Sequence, residues 1–102
     1  MNYLTSEQDL KYSEGIHSLY FYAPWIPFHK KMSIMIGKIE DKYKQVSFTA
    51  IDTDSFKVLC KRFNIDSIPT VLIMVNGEEK KRINGLVMTS AFRSAFADIC
   101  NT

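Results

Sequence analysis

Residues 18–29 hold the most informative pattern in the chain: Ser18-Leu19-Tyr20-Phe21-Tyr22-Ala23-Pro24-Trp25-Ile26-Pro27-Phe28-His29. The first six residues are mostly apolar or aromatic and do not alternate with polar ones, which is typical of a strand covered on both faces of its sheet. Pro24 ends that strand, because proline lacks the N–H that a neighbouring strand would need. We therefore expect helices on both sides of the sheet.

The residues after this segment predict a long helix, a second strand and a shorter helix. Lysines at positions 30, 31, 38 and 42 cover much of the long helix, and its apolar residues recur at helical spacing: Phe28, Met32, Met35, Ile36, Ile39 and Tyr43. Residues 46–52 favour the next strand. The shorter helix ends near Asn64 and buries a set at i, i+3, i+4 and i+7, namely Phe56, Leu59, Cys60 and Phe63.

A hairpin and a final helix are predicted for the rest of the chain. Residues 71–75 and 78–83 flank Asn76-Gly77, a pair that tolerates the positive φ angles of a two-residue turn. Gly85 follows as a bulge or bend. The final helix is expected to begin near Thr89 or Ser90 and to bury Phe92, Phe96, Ile99 and Cys100.

At the other end of the chain, residues 5–8 read Thr-Ser-Glu-Gln, a capping box that predicts a helix over residues 6–14 before Gly15. Residues 2–4 could add a short edge strand. The order of the predicted helices and strands along the chain indicates one α/β domain over residues 1–102. We expect a central mixed β-sheet of four to five strands flanked by helices on both faces.

Composition narrows the class of protein. The 102 residues are 46% hydrophobic and carry a formal charge of +2, which is too small a basic excess to make nucleic acid a leading partner. The first residues show no signal peptide, and no apolar run approaches the roughly 18 residues of a membrane-spanning helix. We expect a cytoplasmic, monomeric protein with no membrane partner.

Five segments together resemble the thioredoxin family in order and spacing: Phe21-Tyr22-Ala23-Pro24-Trp25, Ile51-Asp52-Thr53-Asp54, Ile68-Pro69-Thr70, Asn76-Gly77-Glu78 and Gly85. The resemblance spans nearly the whole chain and implies the thioredoxin fold. It also implies a cis bond before Pro69, a turn that can present the backbone of Ile68 to an extended ligand.

The chain departs from that family at the positions that carry its redox chemistry. The family places two cysteines, two residues apart, directly after Trp25, where this chain has Ile26, Pro27, Phe28 and His29. Disulfide reduction needs an attacking thiolate and a second, resolving thiol. Ile26 has no nucleophile, His29 cannot form the resolving disulfide, and Tyr20 aligns with the family's buried acid. These differences favour a redox-inactive protein over an enzyme.

The leading hypothesis is a protein- or peptide-binding module, a scaffold or adaptor whose ligand is an extended protein segment. Residues 25–28 are expected to form an exposed apolar rim beside the proline turn. The alternative is that Trp25 and Phe28 only pack against the hairpin and the long helix. The expected binding residues are Trp25, Ile26, Pro27, Phe28, His29, Ile68, Pro69, Thr70 and Gly85.

A second hypothesis is an oxidoreductase-related enzyme that uses Cys60 or Cys100 as a single thiol, with glutathione held by the proline loop. Both cysteines lie at apolar helical positions, so we interpret them as reduced core residues, and their exposure separates the two hypotheses. We expect no cofactor. No metal is expected either, since the chain has only two histidines, and we expect His29 to stack or hydrogen-bond locally.

Acidic and basic residues elsewhere favour structural roles. Asp52 and Asp54 flank the start of a helix, where carboxylates cap free N–H groups, so we interpret them as caps and not as a catalytic pair. Charged residues at 78–82 fall on a predicted edge strand, where charge discourages edge-to-edge aggregation.

Overall fold

The computed structural model describes residues 1–101. In chain order its elements are β1 (Asn2–Tyr3), a 3₁₀ turn (Glu7–Asp9), β2 (Ile16–Tyr22), α1 (His29–Lys42), β3 (Val46–Asp52), α2 (Lys57–Arg62), β4 (Thr70–Val75), β5 (Glu78–Asn84) and α3 (Thr89–Cys100). The five strands form one sheet in the order β1-β3-β2-β4-β5. β3 pairs in parallel with β1 and β2, whereas β4 runs antiparallel to β2 and β5, so the predicted mixed sheet is confirmed.

Two apolar clusters cover the two faces of the sheet. Alternate residues of β2 enter different clusters, with Tyr20 and Tyr22 in the first and Leu19 and Phe21 in the second. Successive side chains of a strand point to opposite faces, so a strand that is apolar throughout needs cover on both. α1 and α3 pack on the first cluster and α2 on the second, which confirms the prediction made from residues 18–23.

The hairpin follows the predicted turn chemistry. Asn76 and Gly77 both have positive φ angles, 51° and 86°, as a two-residue turn with the right twist requires. The register between the two strands shifts after Ile73, which pairs with Lys81, while Met74 pairs with Glu79. The shift is a β-bulge that leaves Lys80 outside the ladder.

The predicted helix over residues 6–14 is wrong. Only Glu7–Asp9 forms a 3₁₀ turn, its cap residue Ser6 makes no side-chain capping bond, and Leu10 is already extended. Leu10 and Tyr12 both pack against the second cluster. Residues two apart share a face in an extended chain but not in a helix, so the packing of this pair overrides the capping-box signal.

None of the helices within residues 1–101 has the length and apolar character needed to cross a membrane.

Candidate functional site

Trp25 projects from the loop that joins β2 to α1. Its side chain is 69% exposed, yet it is held in place, since the indole N–H donates to a carboxylate oxygen of Asp54 at 3.0 Å. The N–H of Asp54 in turn donates to a carboxylate oxygen of Asp52 at 2.9 Å. The prediction that both carboxylates cap α2 is therefore wrong: Asp52 accepts from the loop before the helix, Asp54 anchors an aromatic ring, and within residues 1–101 α2 has no side-chain cap.

The loop turns Ile26 inwards, which corrects the prediction of an exposed rim over residues 25–28. The N–H of Ile26 donates to the carbonyl of Ala23 at 3.1 Å, and the N–H of His29 donates to the carbonyl of Ile26 at 3.3 Å. These consecutive turns bury the Ile26 side chain in the first cluster. Pro27 stays exposed, and Phe28 is 45% exposed. The apolar rim therefore consists of Trp25, Pro27 and Phe28.

His29 begins α1 and stacks on two tyrosines from β2. Its ring lies 4.6 Å from the ring of Tyr22 and 5.9 Å from that of Tyr20, at interplanar angles of 12° and 11°. Its Nδ1 atom lies 3.0 Å from the hydroxyl of Tyr20. Tyr20 and Tyr22 are two residues apart in one strand, so both rings point to the same face. The expected local stacking and hydrogen bonding of His29 are confirmed.

Burial raises the pKa of the Tyr20 hydroxyl far above its ordinary value, and the neighbouring tyrosines Tyr3 and Tyr22 raise it further. The phenol therefore keeps its proton at neutral pH while its oxygen is hydrogen-bonded to Nδ1 of His29. The position that the family resemblance assigns to a resolving cysteine is thus occupied by a hydrogen-bonded aromatic ring.

The proline turn supplies open main-chain groups. The bond between Ile68 and Pro69 is cis, and no backbone group within residues 1–101 pairs with the N–H or carbonyl of Ile68. Ile68 is half-buried, whereas Pro69 and Thr70 are buried. Direct contact between a ligand and the Thr70 side chain, which was expected, does not fit this burial.

The buried residues of the turn hold its shape. The hydroxyl of Thr70 donates to the carbonyl of Ser67, with an oxygen–oxygen distance of 2.8 Å, and lies 3.2 Å from the side-chain oxygen of Asn84. Gly85 has a φ of +76° and donates its N–H to the carbonyl of Pro69 at 2.7 Å. Thr70 and Gly85 therefore position the turn and leave Ile68 as its accessible member.

A cleft that no sequence pattern indicates separates α2 from the proline turn. It has a volume of about 320 Å³, and its lining includes Asp54, Cys60 and Ile68. Asp54 connects this cleft to the indole of Trp25. One signal could have indicated the connection: Trp25 and Asp54 follow adjacent parallel strands, whose carboxyl ends meet at one edge of the sheet.

The two thiols lie at different places. Cys60 lies on the cleft, with its sulfur 3.9 Å from the carbonyl oxygen of Thr53, while Cys100 ends α3. Both are free and only partly buried, so they are less enclosed than the predicted core residues. Burial is the largest cause that raises the pKa of each thiol, which disfavours a thiolate at neutral pH. Within residues 1–101, no group of three or more His, Cys, Asp and Glu side chains could hold a metal ion.

Comparison with known proteins places these features in a family. The family model described as Thioredoxin matches residues 3–98. Thioredoxin-1 of Saccharomyces cerevisiae is 31% identical over 65 residues, which are 64% of this chain and 63% of the yeast protein. Glutaredoxin-3 of Bos taurus is 27% identical over 67 residues, which are 66% of this chain but 20% of that protein. The chain therefore matches about a fifth of the length of that relative.

Solved structures agree with the architecture. The oxidised thioredoxin from Plasmodium falciparum has a TM-score of 0.88 at 20% sequence identity and covers 97% of each chain. Thioredoxin O2 from Arabidopsis thaliana has a TM-score of 0.87 at 22% identity, over 97% of this chain and 93% of that one. At these identities the likeness establishes the thioredoxin fold alone, while the match over residues 3–98 establishes the family. This chain belongs to the thioredoxin family.

Proposed function

We propose that this chain is a redox-inactive member of its family that binds an extended segment of a partner protein. The binding surface, which we call the Trp25 surface, consists of Trp25, Pro27, Phe28 and Ile68. The observation that carries the proposal is the exposed indole of Trp25, which a hydrogen bond to Asp54 holds in one orientation. Large aromatic side chains fixed in advance are typical anchors of protein interfaces, because little side-chain entropy is lost on binding.

The main chain of Ile68 supports the same proposal. Its N–H and carbonyl have no backbone partner within residues 1–101, so an extended ligand could pair with them as an added strand. Side chains of that ligand would cover the apolar rim and enter the cleft beside Asp54. Affinity in this arrangement comes from hydrogen bonds and apolar contact and requires no thiol.

The redox-inactive part of the proposal rests on Ile26 and His29, which occupy the positions of the family's two cysteines. Ile26 is buried and His29 is hydrogen-bonded to Tyr20, so neither position offers a sulfur. We expect no insulin reduction above the rate of dithiothreitol alone. Reduction above that background would refute the redox-inactive assignment but leave the binding proposal to its own test.

Binding is tested with peptides selected from a displayed random library against the wild-type protein. Calorimetry should show affinity about tenfold lower or worse for Trp25→Ala, which removes the anchor. Asp54→Ala should weaken binding less, because it frees the ring without removing it. Val58→Ala is the matched control, since Val58 is also exposed but lies on α2. If Trp25→Ala and Val58→Ala bind the peptides equally, the Trp25 surface is not the binding surface.

A single-thiol activity at Cys60 is the second candidate, and the observation that favours it is the place of Cys60 on the cleft that Ile68 also lines. The raised pKa of this thiol argues against it, because a thiol that stays protonated at neutral pH is a poor nucleophile. Glutathione-dependent reduction of a small disulfide that is lost in Cys60→Ser and kept in Cys100→Ser would establish this second function.

A further inference from the structure

An apolar side chain lies exposed among lysines on the outer side of α1. Ile34 is 55% exposed and stands between Lys31 and Lys38 along the helix. The three residues follow one another at spacings of three and four, so they share one side of the helix. A solvent-facing helical position ordinarily carries a polar residue, so Ile34 departs from the amphipathic pattern.

Ile34 borders a groove between α1 and the start of α3. The groove has a volume of about 180 Å³ and is lined by Lys31, Ile34, Met35, Lys38 and Thr89, which we call the α1–α3 groove. Its volume is enough for one large apolar side chain. Met88, the residue before Thr89, is 77% exposed and extends the apolar surface beside it.

The surroundings of the groove are positively charged. Within residues 1–101 neither Lys31 nor Lys38 takes part in an ion pair. The acidic residues of α1, Glu40 and Asp41, lie in its last turn and pair with the N-terminal amino group and with Lys44. No carboxylate of the helix is therefore available to neutralise the lysines of the groove.

The start of α3 adds to the positive electrostatic potential of the groove. Met88, its cap residue, makes no side-chain capping bond, and its first turn contains no acidic residue. The first N–H groups of a helix carry a partial positive charge that acidic side chains usually offset. Thr89 brings this uncompensated end to the wall of the groove.

We propose that the α1–α3 groove is a second interaction surface that binds an acidic amphipathic segment of a partner protein. One apolar side chain of that segment lies between Ile34 and Met35, and flanking carboxylates pair with Lys31 and Lys38. Charge complementarity selects this ligand, since a basic segment would meet two unpaired lysines and a positive helix end. The surface shares no residue with the Trp25 surface and does not depend on the function proposed for it.

The test uses two displayed peptide libraries that share a fixed central leucine. Acidic residues flank the leucine in one library and basic residues flank it in the other. Selection on the wild-type protein should enrich peptides from the acidic library only, and their affinity should fall as salt is raised. Binding should be about tenfold weaker or worse in Ile34→Glu and in the double variant Lys31→Glu with Lys38→Glu. Val58→Glu, at an exposed position of α2, and Trp25→Ala should bind as the wild type does.

Three results would overturn the proposal. The first is that no selected peptide depends on Ile34, and the second is that the basic library yields Ile34-dependent binders equally well. The third is a dimer of the protein alone, detected by sedimentation and abolished by Ile34→Glu, which would assign the groove to a second copy of the chain. Far-UV circular dichroism and thermal unfolding test whether Ile34→Glu is folded. We expect a folded variant, because the substitution lies on an exposed helix face.

Discussion

Three aromatic rings stack at the start of α1, beside the positions where the thioredoxin family carries its two redox cysteines. Tyr22 stacks on His29, and Tyr20 both stacks on the same ring and is hydrogen-bonded to it. The phenol of Tyr20 lies in the first cluster, where water cannot hydrate a phenolate. Its ionisation is therefore opposed by burial, and the folded state holds this proton more tightly than the unfolded chain does.

This difference predicts a loss of stability at alkaline pH. A raised pKa contributes stability that is fully present below the unfolded value of 10.0 and is lost as the pH rises towards the folded pKa. Urea unfolding should show the free energy of unfolding falling as the pH rises above about 10. Tyr20→Phe should flatten this slope, at a cost of about 1 kcal/mol at pH 8 for the lost hydrogen bond.

Tyr22→Phe is the matched variant for this measurement. Burial also raises the pKa of Tyr22, but less than that of Tyr20. Removal of the Tyr22 hydroxyl should therefore reduce the fall of the free energy of unfolding with pH to a smaller degree. Equal slopes in the wild type and in Tyr20→Phe would contradict the assignment of alkaline instability to the buried phenol.

One arginine joins the edge strand β5 to the end of α2. The guanidinium of Arg82 donates to the carbonyl oxygens of Phe63 at 2.6 Å and of Asn64 at 3.1 Å. It also makes a two-pronged pair with Glu79, at 3.0 and 2.9 Å. The charges predicted to protect an edge strand thus include one that satisfies carbonyls at the end of a helix, where cations are favourable.

Removal of Arg82 should therefore loosen α2 against the sheet. Arg82→Ala should lower the free energy of unfolding by about 1–2 kcal/mol, because two carbonyls lose a charged donor at a partly exposed place. Urea unfolding measures this, and amide exchange of α2 should accelerate together with it. Lys80→Ala is the control: within residues 1–101 the one ion-pair partner of Lys80 is the exposed Glu78, so no measurable change is expected. Equal effects of the two substitutions would show that the contacts with α2 do not stabilise the fold.

Across residues 1–101 one sheet separates two apolar cores, and the two cysteines lie on different sides of that sheet. Cys60 packs against the second cluster with Leu59 and Phe63, whereas Cys100 packs against the first with Phe96. A disulfide requires Cα atoms within about 7 Å, a distance that residues on opposite faces of a sheet do not reach. The architecture therefore keeps these thiols apart.

Oxidation should consequently fail to form a bond between Cys60 and Cys100. After treatment with diamide, the monomeric species on a non-reducing gel should retain two thiols that iodoacetamide can alkylate once the protein is unfolded. In the folded protein, alkylation near neutral pH should be slower than for a free cysteine and should accelerate as the pH rises, because burial raises both pKa values. A monomer that has lost both thiols would refute the separation of the two cores.

Local patterns accounted for most of the elements. The bounds of β3, the Asn76-Gly77 turn and the apolar face of α1 agree with the prediction, because side-chain periodicity and turn conformation depend on neighbouring residues alone. The absence of cysteine at positions 26 and 29 is equally plain from the sequence. Trp25, Pro27, Phe28 and Ile68 were all predicted as members of a binding surface, and all have accessible side chains in the structure.

Contacts between residues of different elements decided the conformation of residues 6–14 and the arrangement of side chains at the candidate site. The segment at 6–14 is extended because Leu10 and Tyr12 pack together on a core that the segment does not itself contain. Asp54 holds Trp25 only because β2 and β3 end at the same edge of the sheet, and Ile26 points inwards because the core on that face is built by other elements. A pattern within one segment predicts the conformation of that segment. Which side chains are buried, and which of them touch, depends on burial and hydrogen bonding summed over the whole fold.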